Sequence, residues 1–491
     1  MRPHVLLILV AATRTIAAQE HAHPRADERL GSVHFPTSCS PAVATKFDRA
    51  VALLHSFEFG ASIGAFNEVL AADSTCAMAY WGLALSRWTN PMVTSPRSAV
   101  VLQNGKRASD AATALSARTS ERERLYIGAV AKLFEEGVDH QTRVLAYERA
   151  MRDLVLRQPA DTEATIFHAI ALAASAAPTD KTFAKQLEAG RALESLWTKQ
   201  PNHPGLAHYI IHAYDYPPLA AKAKEAAERY ASIAPSAAHA LHMPSHTFTR
   251  VGMWNQSVDA NRRSRDVALR DGSIAEALHA SDYMVYAYLQ LGRESEAKAV
   301  LEGLPALEAR FDPNAITGAA PGSAGVFALA AMPARWVMER RAWAEAAALV
   351  PRTTNVPYAD AVTHFARAIG ASRTGDLAKA RASVDSLGVL SQRLVAAGES
   401  YWAEQVAIQQ LGGQAWLNLA ERREADALAR MREAVAREDA TEKAAVTPGP
   451  LAPARELLGD MLMALNRPAE ARAEYRKTLE REPGRRNASR P

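Results

Sequence analysis

The chain has 491 residues and a formal net charge of +4, with a sequence pI near 9.0. That charge is weak and dispersed, and no dense Lys/Arg stripe with interleaved aromatics occurs, so no nucleic-acid footprint is expected. Abundant alanine and arginine, with few β-branched runs, favour helix.

The chain opens MRPHVLLILVAATRTIAAQE. Arg2, the apolar run Val5 to Ala12 and the small pair Ala17-Ala18 before Gln19 have the form of a secretory signal peptide, assigned to residues 1–18. That run is too short to span a bilayer, and no other stretch approaches about 18 uninterrupted apolar residues. The mature chain is therefore expected to be periplasmic or secreted, without a transmembrane segment. Residues 19–40 follow as a loose leader carrying His21 and His23. Cys39 and Cys76 are the two cysteines. In an oxidising compartment they read as one disulfide linking the leader to the start of the third helix; two unpaired buried thiols are the other reading.

From residue 41 to 483 small and bulky positions recur with a period near 34 residues. The first unit carries Ala50, Leu53, Phe59, Phe66 and Val69; the next, CAMAYWGLAL, carries Tyr80, Leu83 and Ala84. The last unit carries Leu458, Gly459, Leu462, Ala471, Tyr475 and Pro483. Small residues at fixed places let the two helices of each hairpin approach closely. The expected fold is all-α, a row of roughly ten to eleven helical hairpins. Residues 305–323 read as the longest internal loop, 444–453 as the break before the final hairpin, and 484–491 as a frayed basic tail.

On these units the chain resembles the tetratricopeptide-repeat (TPR) superfamily, which implies a TPR-like α-solenoid with a concave binding groove. The segments HPGLAHYIIHAYD and HALHMPSHTFTRVGMW also resemble a bacterial group of exported TPR proteins; that resemblance implies fold and export, and no activity. Chaperone-docking TPR domains carry a Lys/Asn/Arg clamp in the groove. At the matching positions this chain has His208, His212, His239, His242 and Asp282, which argues against a carboxylate clamp.

Seven of the fifteen histidines lie between His203 and His279. Repeat register puts Ala207, Ile210, Ile211 and Tyr214 in the packing seam, and Gly205, His208, His212 and Asp215 on the concave face. The next unit places His239, His242, His246 and Thr249 there, and the unit after it His279, Asp282 and Tyr286. His208/His212 and His242/His246 are i,i+4 pairs, which stack on one helix face. Neutral imidazole is the commonest protein metal ligand. Nitrogen and carboxylate donors without thiolate suit Zn, Cu, Fe or Mn, as one ion or two. Pro244 falls within the second of these helices and is expected to kink it.

The candidate metal ligands are therefore His208, His212, Asp215, His239, His242, His246, His279 and Asp282. Glu163 is a looser addition; His203 and His168 read as structural. Trp81, Leu85 and Trp88 make one end of the concave face aromatic, which reads as packing against the leader ahead of a peptide or lipid contact, and Arg335 reads as a lone anchor for an acidic ligand. No HExxH, P-loop or dinucleotide fingerprint occurs. Three functions follow. The first is an exported binding platform with a His/Asp metal site, taking a protein, a peptide or a small molecule in its groove. The second is a metalloenzyme activating water or dioxygen, with Tyr209, Tyr283 and Tyr286 nearby for positioning or proton transfer. The third is a metal-free peptide scaffold whose histidines form a polar or structural network.

Overall fold

The computed structural model describes residues 27–444 and 446–490. The segment assigned as a signal peptide, with His21 and His23, lies outside the described residues. Among the described residues every regular element is helical. The helices form hairpins, from Ala44–His55 with Phe59–Ala72 to Ala454–Ala464 with Pro468–Arg481, eleven in all. The architecture is an all-α, TPR-like solenoid. No helix among the described residues is long and apolar enough to cross a membrane.

The small positions work as their chemistry requires. A Cβ on Gly459 would lie 2.6 Å from the Tyr475 ring, and one on Gly82 would lie 2.2 Å from Phe66. Glycine at these places lets an aromatic ring of the facing helix sit against the backbone. Polar caps fix several helix starts, among them the reciprocal Ser120–Glu123 capping box.

The row of hairpins closes on itself. Helix Ala44–His55 packs against helix Pro204–Ala213, and the Gly60 amide donates to the Thr317 carbonyl at 2.7 Å. At the other end, Trp254 donates its indole N–H to the Gly484 carbonyl at 3.2 Å. Arg485 donates to the Tyr286 hydroxyl at 2.9 Å, and the Arg486 amide to Gln290 at 2.9 Å. Both ends of the chain thus return to its middle hairpins.

Four expectations are corrected by this closure. The described part of the leader is packed: Phe35 is buried against the rings of Phe47, Trp81 and Tyr126. The basic tail is not frayed, for Arg485 is buried between Glu339 and Glu456 and heads a short helix, Arg486–Ser489. Arg335 is no ligand anchor; it bonds Asp282 at 2.8 Å, Thr447 at 2.8 Å and the carbonyls of Gly449 and Pro450. The concave face is not an open groove. Segments around 90–95 and 319–324, with Ala444 and Val446, line it, and the six histidines placed there are between 0 and 5% exposed. The cysteines do pair: Cys39 and Cys76 are disulfide-bonded, with Cα atoms 4.8 Å apart.

Removing a partner from a buried ion cluster leaves uncompensated charge, at a cost of about 3–5 kcal/mol. Arg485→Ala is accordingly expected to lower thermal stability by that order, with Glu339 and Glu456 left facing each other. A melting temperature equal to that of the parent chain would show that the tail carries no structural weight.

Candidate metal centre

Three successive hairpins supply the histidines. Helix Pro204–Ala213 carries His208 and His212; the broken helix Ala238–His242 and Pro244–Arg250 carries His239, His242 and His246; helix Ile274–Leu291 carries His279. Pro244 does interrupt the middle helix, as its ring and missing N–H require. His242 and His246 nevertheless converge, with their Nε2 atoms 3.0 Å apart.

The six rings divide into two sets of three, His208/His212/His239 and His242/His246/His279. Within each set one ligand nitrogen per residue lies within 4.8 Å of the others. The sets adjoin: ring centroids are 5.8 Å apart for His239 and His242 and 6.2 Å for His212 and His246.

In the first set the outer nitrogens are held. His208 Nδ1 lies 2.6 Å from the His55 carbonyl and His239 Nδ1 lies 3.1 Å from a Glu276 oxygen. Both acceptors require Nδ1–H; for His208, which burial holds well below its ordinary value, that leaves a lone pair on Nε2. The Nε2 atoms of His208, His212 and His239 are buried without a hydrogen-bond partner in the protein. An unsatisfied buried polar group costs about 1–3 kcal/mol, and three on one small patch form a preorganised donor set.

The second set is more constrained. His246 Nδ1 donates to Asp215 at 2.9 Å, and His242 Nδ1 donates to Asn261 Oδ1 at 2.6 Å. Asn261 is fixed in that orientation because its own N–H₂ donates to the Ser257 carbonyl at 2.7 Å. With both Nδ1 atoms protonated, the facing Nε2 atoms each present a lone pair. Two lone pairs 3.0 Å apart repel unless a cation lies between them. A proton is disfavoured there: burial first, then the neighbouring imidazoles, lowers His242 well below its ordinary value. Burial likewise pushes His246 down to about 4 despite Asp215. His279, whose Nδ1 has no partner, is pushed down to about 3, burial again leading. The set is held neutral and ready for metal at neutral pH.

The predicted carboxylates fare differently. Asp215 stands behind His246 and also takes Arg250 at 2.9 Å and Lys443 at 3.1 Å. Burial raises it, yet those two cations hold its carboxyl well below the usual range. Asp282 points away into its pair with Arg335 and belongs to neither triad. Glu163 bridges His55 and His203 at 2.9 Å each, forming a third cluster joined to the first set through the His55 carbonyl. His168 bonds Glu148 at 3.1 Å, as its structural reading expects. Of the tyrosines, Tyr283 alone reaches a triad, its hydroxyl 3.3 Å from His246 Nε2. Tyr209 bonds His55 and Tyr286 bonds Glu482 and Arg485.

Sequence reasoning missed the contribution of the first hairpin. Phe57, in the left-handed backbone region at φ 55°, lays its ring against His208, His212 and His239. Glu58 accepts from the His239 amide at 3.1 Å. Its pattern HSFEF gives no hint of this, because the contact spans more than 180 residues. Ser62 lies in the spacing Gly60-Ala61-Ser62-Ile63-Gly64, which matches a nucleophile elbow by pattern. It is instead inside helix Phe59–Ala72 and bonded to the Ala50 carbonyl and Ser86.

His212, His239, His246 and His279 line a cavity that offers about 40 Å³ to the centres of water-sized molecules. That holds a few waters, or an ion with a small ligand. Its far wall is Met92, Val93, Pro321, Tyr358 and Trp402. A larger cavity of about 570 Å³ shares His212, Met92, Val93, Thr94 and Ala444 with it and adds Asp215 and Lys443. The two adjoin through these shared residues, the smaller one nearer the histidines.

No family model matches the chain, and no curated protein matches it. Among solved structures, human IFIT1 bound to m7Gppp-AAAA is similar at TM-score 0.40 and 11% identity, covering 87% of this chain and 94% of that one. Yeast Tom70 is similar at TM-score 0.30 and 10% identity, covering 88% and 83%. The TPR domain of P58(IPK) is similar at TM-score 0.22 and 12% identity, covering 87% and 98%. Likeness at this level carries no argument about function.

Two expectations follow from the geometry. In an unfolded chain imidazole titrates near 6.5, whereas His246 in the fold does so only at about 4. As pH falls the unfolded state takes up protons first, so the metal-free protein should lose stability from about pH 6.5 down to about 4; denaturant melts across that window would reveal a flat profile if these rings were not buried and neutral. Asn261→Ala removes the acceptor that fixes His242. It should weaken metal affinity by about 10–100-fold with the fold intact, read by competition with a chromophoric chelator.

Proposed function

We propose that this protein is an exported metal-binding solenoid that holds two transition-metal ions side by side in its interior. His208, His212 and His239 bind one; His242, His246 and His279 bind the other. Asp215, Glu276, Asn261 and the His55 carbonyl orient the rings from behind. The observation that carries this reading is the approach of the His242 and His246 Nε2 atoms to 3.0 Å while each ring is fixed by its own Nδ1 bond. Export is supported by the signal-like start of the chain and by the Cys39–Cys76 disulfide.

Three protein ligands per ion leave a coordination position free, the arrangement of sites that act on a ligand rather than of closed structural ones. Two histidines of each set, His212 and His239, His246 and His279, reach the smaller cavity. A metalloenzyme is the second reading, favoured by the Tyr283 hydroxyl beside His246, a group able to move a proton next to the second set. A peptide laid among the histidines has no support, since that face is covered and its cavity is small. Any protein partner would dock elsewhere on the solenoid.

The test is metal content of the purified mature chain by mass spectrometry, after reconstitution with Zn, Cu, Fe or Mn. Two equivalents are expected in the parent, about one in either His208→Ala or His242→Ala, and none in the double variant, with helical circular dichroism unchanged. An absence of bound metal from the reconstituted parent would leave the histidines as a structural network and end the proposal.

A further inference from the structure

The charge of the interior and the chemistry of its cavity narrow both the ions and the ligand; this step rests on the two-ion reading above. Neither triad contains a carboxylate. Asp215 is already answered by Arg250 and Lys443, Asp282 by Arg335, and Glu276 is shared by His239 and the Ala320 amide. Little negative charge is left for the ions. Two dipositive ions repel each other four times as strongly as two monopositive ions at the same separation, and each costs more to desolvate. Carboxylate-free trihistidine sets hold zinc as well as copper, so it is the uncompensated charge of two close ions, not the donor type, that favours a monopositive ion. Among the first-row metals that take imidazole, copper is the one with a stable monovalent state.

The cavity beside the centre argues for the ligand. The smaller cavity is walled by Met92, Val93, Ala320, Pro321, Trp402 and Val446, and it offers only about 40 Å³ to water-sized molecules. No Lys or Arg lines it, those of the neighbourhood (Arg97, Arg143 and Lys443) lining the adjoining larger cavity, and the space beside the histidines is itself too small for a sugar, peptide or nucleotide. Asn90, Thr94, Ser95 and Ser323 complete the wall, and a mostly apolar, uncharged chamber of that size suits a neutral diatomic molecule.

We infer that the paired trihistidine sets bind two copper(I) ions and that their ligand is dioxygen, bound between them as peroxide. The balance closes without a further reactant. Each copper(I) gives one electron, becoming copper(II); dioxygen accepts both, its double bond falling to a single bond; each end forms bonds to copper. The two ions and the peroxide together carry the same charge, +2, as the two copper(I) ions did. The interior therefore sees no change in net charge on binding, which suits a site with little means to compensate one.

The experiment loads the full mature chain with copper(I) without oxygen, then admits air. Expected are uptake of one dioxygen per two coppers, a new peroxide-to-copper charge-transfer absorption in the near ultraviolet, and no electron paramagnetic resonance signal, because the two copper(II) ions couple. The His242→Ala chain should bind one copper, take up no dioxygen, and on chemical oxidation show the signal of an isolated copper(II). Zinc-loaded parent should take up no dioxygen. Two bound coppers that take up no dioxygen, or that give isolated copper(II) signals in air, would overturn this inference while leaving the metal centre standing. Failure of any metal to bind would remove both.

Discussion

Two imidazole nitrogens, His242 Nε2 and His246 Nε2, stand 3.0 Å apart with their lone pairs toward each other. Such a contact persists only when everything around it is fixed, and the surrounding interior supplies that. Asn261 and Asp215 set the tautomers, Ser257 sets Asn261, and Arg250 with Lys443 sets Asp215. Each step is a buried, satisfied polar contact, and such networks specify one geometry because the alternatives leave groups unpaired. The repulsion at the centre is thus held by a shell of ordinary hydrogen bonds.

That shell draws on parts of the chain far apart in sequence. Lys443 comes from the segment before the last hairpin, Glu276 from the seventh hairpin, and Phe57 and Glu58 from the first turn. They meet because the row of hairpins curls until its ends reach the middle. The Cys39–Cys76 bond and the Phe35 ring cluster anchor the first hairpin, while Arg485 anchors the last one. Closure converts a concave surface into an interior, and burial then makes neutral imidazole the stable form.

Periodicity alone gave the hairpins, because small residues such as Gly459 and Gly82 must recur wherever aromatic rings meet a helix backbone. It also brought His208, His212, His239, His242, His246 and His279 to one face, since register fixes direction. It did not reveal that this face is covered, nor that Asp282 belongs to Arg335. Both depend on contacts across many hairpins, which a local pattern does not encode. His55 and Asn261 were hidden for a related reason. One acts through its backbone carbonyl. The other lies on a second helix of a hairpin, where seam residues read only as packing.

Open solenoids are modular: units can be gained or lost, and each end can loosen independently of the rest. This one has given up that freedom. Because helix Ala44–His55 must reach helix Pro204–Ala213, the number of hairpins between them is set by the circumference. An added unit would carry the His55 carbonyl away from His208. The ring of helices should therefore change in evolution by substitution within units, and come apart as a single cooperative body instead of unravelling from its ends.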